Sequence, residues 1–168
     1  MANKAKGPRG ATIGVNIGLS DKSRATVIDS LSVLLADEVL LYIKTRNFHW
    51  NVVSPSFSEM HKFFEEQYEA LDEVFDAVAE RIRALAGRAP GSMIEFLKLT
   101  RLSETTGKVT HAAEMVRALL DDHEKVIRHI RADIEHVGAA HDVGTEDFLT
   151  GLLEEHEKMA WMLRSYAQ

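Results

Sequence analysis

Two pairs of residue types that bind metals or move protons stand four residues apart in one stretch of this chain: His61 with Glu65, and Asp76 with Glu80. An i, i+4 interval puts two side chains on the same face of an α-helix, one above the other. At about 100° per residue, with His61 as zero, Glu65 lies at about 40°, Asp76 at about 60° and Glu80 at about 100°. All four share roughly one quadrant of a single helix. Along the axis they are far apart. A rise of about 1.5 Å per residue separates Glu65 from Asp76 by roughly 16 Å and His61 from Glu80 by roughly 28 Å. Ligand bonds of about 2.0–2.2 Å cannot let one ion reach both pairs of one chain. An antiparallel copy of the helix across a two-fold axis sets His61/Glu65 of one chain against Asp76/Glu80 of the other. The spacing therefore predicts two equivalent metal-type sites per dimer, both at the interface.

The stripe that holds these donors reads His61, Glu65, Glu69, Asp72, Asp76, Glu80, with no lysine or arginine on it. A solvated helix face usually alternates charge sign, because like charges at this spacing repel. Divalent cations would supply the missing counter-charge. Glu69 and Asp72, midway between the pairs, are either solvated or cation-binding.

The elements that must position the stripe follow from apolar periodicity. A first helix runs from Ser20 or Asp21 to about His49 or Asn51, with Ile28, Leu31, Leu35, Val39, Tyr42 and Ile43 at steps of three and four. Pro55 breaks it, and Ser56 is placed to cap the next helix. That second helix carries Met60, Phe64, Tyr68, Leu71, Phe75, Val78, Ile82 and Leu85 and ends at Gly87 and Pro90. The short break folds it back on the first. Residues 91–100 give about two amphipathic turns within a longer connection. A third helix is expected from Thr106 to His136, with Val109 inside, and a fourth carries Phe148, Leu152, Met159 and Leu163. Four long amphipathic helices, two hairpin-like connections and a longer middle crossover describe an all-α, ferritin-like four-helix bundle with a short extra helix.

Composition narrows the chemistry. The chain of 168 residues, 45% apolar with three prolines, fits one domain with a substantial core. The absence of cysteine removes thiolate sites and leaves nitrogen and oxygen ligands for a hard or borderline metal. No apolar run is long enough to span a membrane and no secretory apolar block opens the chain, so a cytoplasmic location without membrane partners is expected. A formal charge of −6 disfavours adsorption of the folded body to nucleic acid. Lys4, Lys6 and Arg9 are the exception. They precede every acidic residue and mark residues 1–20 as a flexible basic tail on a domain spanning 21–168.

The combination of NFHWNV ending at Val52, His61 and Glu65 following His49, and FDAVAERIRAL holding Asp76 and Glu80 resembles the Dps proteins, the mini-ferritins also called DNA-binding proteins from starved cells. The helix order, the short crossover helix and the basic tail extend the similarity over nearly the whole chain. Three departures concern loop shape and site dimensions rather than the number of donors. Ser54 replaces a usual glycine, Leu85-Ala86-Gly87 stands for Leu-Gly-Gly, and Glu65 stands where many members have aspartate. The resemblance implies a hollow dodecamer that oxidises Fe(II), preferably with hydrogen peroxide, and stores ferric mineral inside. It implies a ferroxidase centre of His49 and His61 from one chain with Asp76 and Glu80 from its two-fold mate, and Glu65 completing it or binding a second iron. Two irons per shared site are expected, although a mixed nitrogen and oxygen set also suits Zn(II).

Further residues have two readings each. Trp50 is a packing residue or a sacrificial electron donor beside the iron. Glu146, Asp147, Glu154 and Glu155 are helix amino-terminal acids explained by the dipole, or line a three-fold pore as in the family. His129, His136, His141 and His156 read as surface or interface histidines, or as an additional metal site. An ordinary ferritin site inside each bundle needs Glu-x-x-His, and the nearest pattern is Asp133-x-x-His136. The rival function is an iron-independent DNA-compacting protein acting through its basic arms by multivalency, and such a protein would be associated with the nucleoid.

Overall fold

A computed structural model of the chain describes residues 14–107 and 111–167. Lys4, Lys6, Arg9 and Val109 lie outside the described residues. The helices are α1 (Asp21–Asn51), α2 (Phe57–Ala84), α3 (Met93–Leu99), α4 (Ala112–Ala139) and α5 (Val143–Tyr166). α1 packs along α2 and α4 along α5, and α1 also lies against α4 and α3. This is a four-helix bundle of two hairpins with α3 inside the crossover. Among the described residues the only β-type pairing is an isolated bridge between Val53 and His111, which pins the α1–α2 turn to the start of α4. No helix among them is long and apolar enough to cross a membrane.

Helix ends follow local chemistry. Ser20 caps α1 by accepting the Ser23 N–H at 3.0 Å. Ser56 occupies the cap position of α2, but its side chain accepts no capping bond. Instead its own N–H donates to Ser54 Oγ at 3.1 Å, so the serine that replaces a glycine organises the turn. α3 opens on a capping box: Ser92 accepts from the Glu95 N–H, and Glu95 accepts from the Ser92 N–H. Hydrogen bonds from Arg88, then from Ser92 and the Gly91 N–H, hold the Glu95 carboxyl down at about 2. α4 starts at Ala112 rather than Thr106. Gly107 has φ +114°, which no helix accommodates, and His111 is extended.

The core joins all four long helices through fully buried Leu31, Phe64, Leu71, Met115, Ile130 and Leu163. Buried ion pairs cross it, among them Lys44 of α1 with Asp122 of α4. Arg101, after α3, donates from Nε to Asp37 of α1 at 2.7 Å and from Nη1 to Asp133 of α4 at 3.0 Å. Burial raises the Asp133 carboxyl from its ordinary range, against the pull of Arg101. The crossover is thereby fastened to both hairpins.

The end of α2 is a Schellman motif: Gly87 N–H donates to Ile82 O and Ala86 N–H to Arg83 O, each at 2.9 Å. Ala86 sits at φ +64°, a left-handed position that costs an L-residue with a Cβ about 1 kcal/mol or more. A Cβ on Gly87 would meet the Cγ2 atoms of Ile28 and Ile82 at 2.9 Å. Ala86→Gly is therefore expected to stabilise the chain by about 0.5–1 kcal/mol, and Gly87→Ala to destabilise it by about 1–3 kcal/mol. Thermal melts of the two variants should shift in opposite directions; a shared direction would contradict this reading of the motif.

Candidate metal centre

The α1–α2 hairpin brings the two ring residues of the donor set into contact. Phe48 and Phe64 pack at the apolar side of the hairpin, with ring centroids 6.4 Å apart. One residue after Phe48 on α1 and three before Phe64 on α2, His49 stacks on His61 at 3.7 Å between centroids and 22° between planes. His49 Nδ1 lies 2.8 Å from the His61 carbonyl oxygen, and His61 Nδ1 lies 2.9 Å from the His49 carbonyl oxygen. A carbonyl only accepts, so each Nδ1 must carry the proton. In the neutral rings that leaves the lone pair on Nε2, the atom a metal binds, and the backbone bond fixes both tautomer and ring plane. His49 is buried and His61 half-buried.

Aromatic residues frame this pair. Phe57 stacks on the outer face of His61 at 5.1 Å, and Tyr68 meets the His49 ring edge-on at 5.2 Å. The Tyr68 hydroxyl donates a long hydrogen bond to Glu65 Oε1, 3.4 Å, one turn beyond His61. Burial, then the charge of Glu65, raises the Tyr68 phenol above its ordinary value, so it remains a donor at neutral pH. Arg46 lies over the Tyr68 ring at 4.7 Å and beside Trp50 at 5.7 Å. Trp50 itself is 66% exposed and is not a core packing residue in the single chain.

Asp76 and Glu80 lie further along α2 and are exposed. Arg81, a candidate ion-pair partner for them, instead binds Asp142 at 3.0 Å and the Thr145 hydroxyl at 2.8 Å. Among the described residues no three His, Asp or Glu side chains lie close enough together to hold an ion. The chain thus presents the donors as two separated halves, as expected from the rise of the helix. Glu69 and Asp72 are exposed and border a groove of about 680 Å³ with Tyr42, Arg46 and Tyr68. Asp147 lines a second groove with Glu73 and Glu155. Glu154 is exposed, and Glu146 is half-buried with its carboxylate over Gly138.

One expectation fails. Of the four histidines taken as surface or interface residues, His136 and His141 are exposed and His129 is half-buried, but His156 is fully buried. It faces equally buried His123 of α4, and Glu38 of α1 lies beside it. A repeat signals this pair: LLDDHEKV at 119–126 and LLEEHEKM at 152–159 place each histidine four residues after a core leucine. Asp133 is bound by Arg101 and His136 is exposed, so Asp133-x-x-His136 forms no inward-facing metal pair.

The fold is that of a ferritin-like protein, and the family model for the ferritin-like domain matches residues 28–168. Within that class the chain belongs to the Dps family. It is 50% identical over 155 residues to a low temperature-induced protein of Nostoc, covering 92% of this chain and 87% of that protein. It is 36% identical over 140 residues to the DNA protection during starvation protein 2 of Bacillus anthracis, covering 83% and 95%. The crystal structure of the Dps protein from Vibrio cholerae superposes with a TM-score of 0.87 at 30% identity, covering 95% of this chain and all of that one. That protein is described as a member of a broad superfamily of ferritin-like diiron-carboxylate proteins.

The reciprocal carbonyl bonds make a spectroscopic prediction. Nitrogen-15 spectra of histidine-labelled, metal-free protein at neutral pH should show His49 and His61 with protonated Nδ1 and bare Nε2. The opposite tautomer in either ring would contradict the arrangement.

Proposed function

We propose that this chain is a Dps-type ferroxidase and iron-storage protein, with Fe(II) as substrate and sites shared between two subunits. The observation that carries the reading is the stacked His49–His61 pair. Both rings are held by backbone carbonyls in the tautomer that leaves Nε2 for a metal. Glu65 stands on the next turn, and Asp76 and Glu80 would come from the two-fold mate. Two Fe(II) ions in one such site give up two electrons together, enough to take one hydrogen peroxide and two protons to two waters. That route releases no hydroxyl radical. Zn(II) suits the same donors and would compete with iron.

Support for a homo-oligomer comes from apolar residues that a lone chain leaves exposed. Ile43, Trp50 and Phe57 flank the site, and Met93, Ile94 and Leu97 lie along α3. A dodecameric cage would bury such residues and enclose ferric mineral, with Glu69 and Asp72 as nucleating acids and Glu146, Asp147 and Glu154 at a pore. Trp50, beside Arg46, would give an electron to any stray oxidant. The names of the starvation-protection relatives support a DNA role, carried here by Lys4, Lys6 and Arg9.

Anaerobic Fe(II) binding followed by a stoichiometric peroxide pulse tests the reading. Asp76→Ala and His61→Ala should each slow the fast oxidation phase about tenfold or more, while the circular dichroism stays helical. Unchanged rates in both would remove the proposed centre. Deleting residues 2–10 should abolish DNA retardation in gels, most visibly at low salt, and leave iron oxidation intact. Retention of DNA by the truncated protein would assign that binding to the folded body.

A further inference from the structure

His123 of α4, His156 of α5 and Glu38 of α1 are all fully buried, and the metal chemistry proposed above uses none of them. The two imidazoles meet Nδ1 to Nδ1 at 3.0 Å. Two nitrogens at that separation need one proton between them: none leaves two lone pairs opposed, and two leave two N–H groups opposed. The far edge of His156 lies 2.9 Å from Glu38 Oε1. That contact is out of line for a directed hydrogen bond, so Glu38 lies against the ring edge without bonding it. Both Glu38 oxygens and His123 Nε2 have no hydrogen-bond partner.

We infer that the His123–His156 contact, with Glu38 behind it, is an acid-sensitive latch between α4 and α5. The closed bundle holds a single proton between the rings. When both rings take up protons the contact turns repulsive and the two helices part locally. Glu38 already lies against the outer edge of His156, and no further charge is free to relieve the second proton. On α1, Asp37 is bound by Arg101, and Lys44 is bound by Asp122 and the Ser103 carbonyl. On α4, Asp122 beside His123 is shared between Lys44 and Lys125. The buried face of α2 offers Gln67 and no charge, and on α5 Glu155 and Glu157 beside His156 point to solvent.

The sign follows from His123. Burial, then the neighbouring His156, pushes its imidazole well below the ordinary value, so the fold prefers it neutral. The contribution of the contact is therefore complete above about pH 6.5, the unfolded value, and is withdrawn as pH falls below it.

Hydrogen exchange by mass spectrometry on the assembled, full-length protein, corrected for intrinsic rates, tests the latch between about pH 7.5 and 5. The opening constant of α4 and α5 peptides around His123 and His156 should rise by up to about tenfold per pH unit in the native chain. His123→Asn keeps an N–H at the Nδ1 position but does not titrate. It should keep neutral-pH protection and lose the acid response. Equal acid responses in both proteins would overturn the latch. Should His123→Asn loosen the bundle at every pH, nitrogen-15 spectra of the native protein decide. A doubly protonated His123 in the closed state at neutral pH overturns the proposal, and a neutral ring supports it. One tightly held metal per chain that survives in His61→Ala would also overturn it, because the cation between the rings would then not be a proton.

Discussion

Because α1 and α2 are continuous helices joined only through residues 52–56, the last turn of one has to lie against the first turns of the other. The two histidines of the proposed site are placed by that return. Pro55 stops α1, Ser54 ties the turn, and the Val53–His111 bridge holds it to the other hairpin. Apolar packing of Phe48 on Phe64 then sets the register in which His49 and His61 stack and exchange their ring N–H groups for each other's carbonyls. A slip of one residue on α2 would rotate the ring by about 100° and break both bonds. The site is thus specified by the hairpin rather than by either helix.

The same rigidity divides the donors. A straight helix cannot draw Asp76 and Glu80 to the histidines across roughly 22 Å or more, and a bend would break the buried series Leu71, Val74, Val78 and Ile82. The carboxylates stay exposed and unpaired by Arg81, which is occupied at the start of α5. An exposed pair of like charges beside an apolar rim is poorly placed in a monomer and well placed in a dimer that brings cations to it. The interior is occupied differently. Its buried polar groups are spent on the Arg101 network, the Lys44–Asp122 and Arg81–Asp142 pairs and the His123–His156 contact, and among the described residues no carboxylates converge on a metal site inside the bundle.

Much of this was legible in the residues. The periodicity of α2 and the breaks at Pro55, Gly87 and Pro90 located the long hairpin, because apolar steps of three and four report the buried face directly. The separation of the donor pairs also followed from the helical rise alone. Helix starts were less legible. α4 was expected from Thr106, yet Gly107 takes a positive φ that sequence pattern alone does not reveal. Ser56 had the right type for a cap and the wrong backbone to use it. His156 was placed outside because histidine is mostly polar in pattern reasoning; its burial depends on a partner ring on another helix. The stacking of His49 on His61 depends on tertiary register in the same way. The tail residues Lys4, Lys6 and Arg9 were legible from charge alone, and the pore acids rest on family resemblance.

The central claim is that neither chain alone holds the iron site. Its most direct test is a mixture of His61→Ala and Asp76→Ala subunits, unfolded and refolded together, given anaerobic Fe(II) and then a peroxide pulse. Each variant alone should lack fast oxidation. Random pairing should restore about a quarter of the native amplitude, and preferred mixed pairing up to about half, because each mixed dimer regains one intact site. A mixture as inactive as its components would contradict the shared centre and send the search for ligands back to a single bundle.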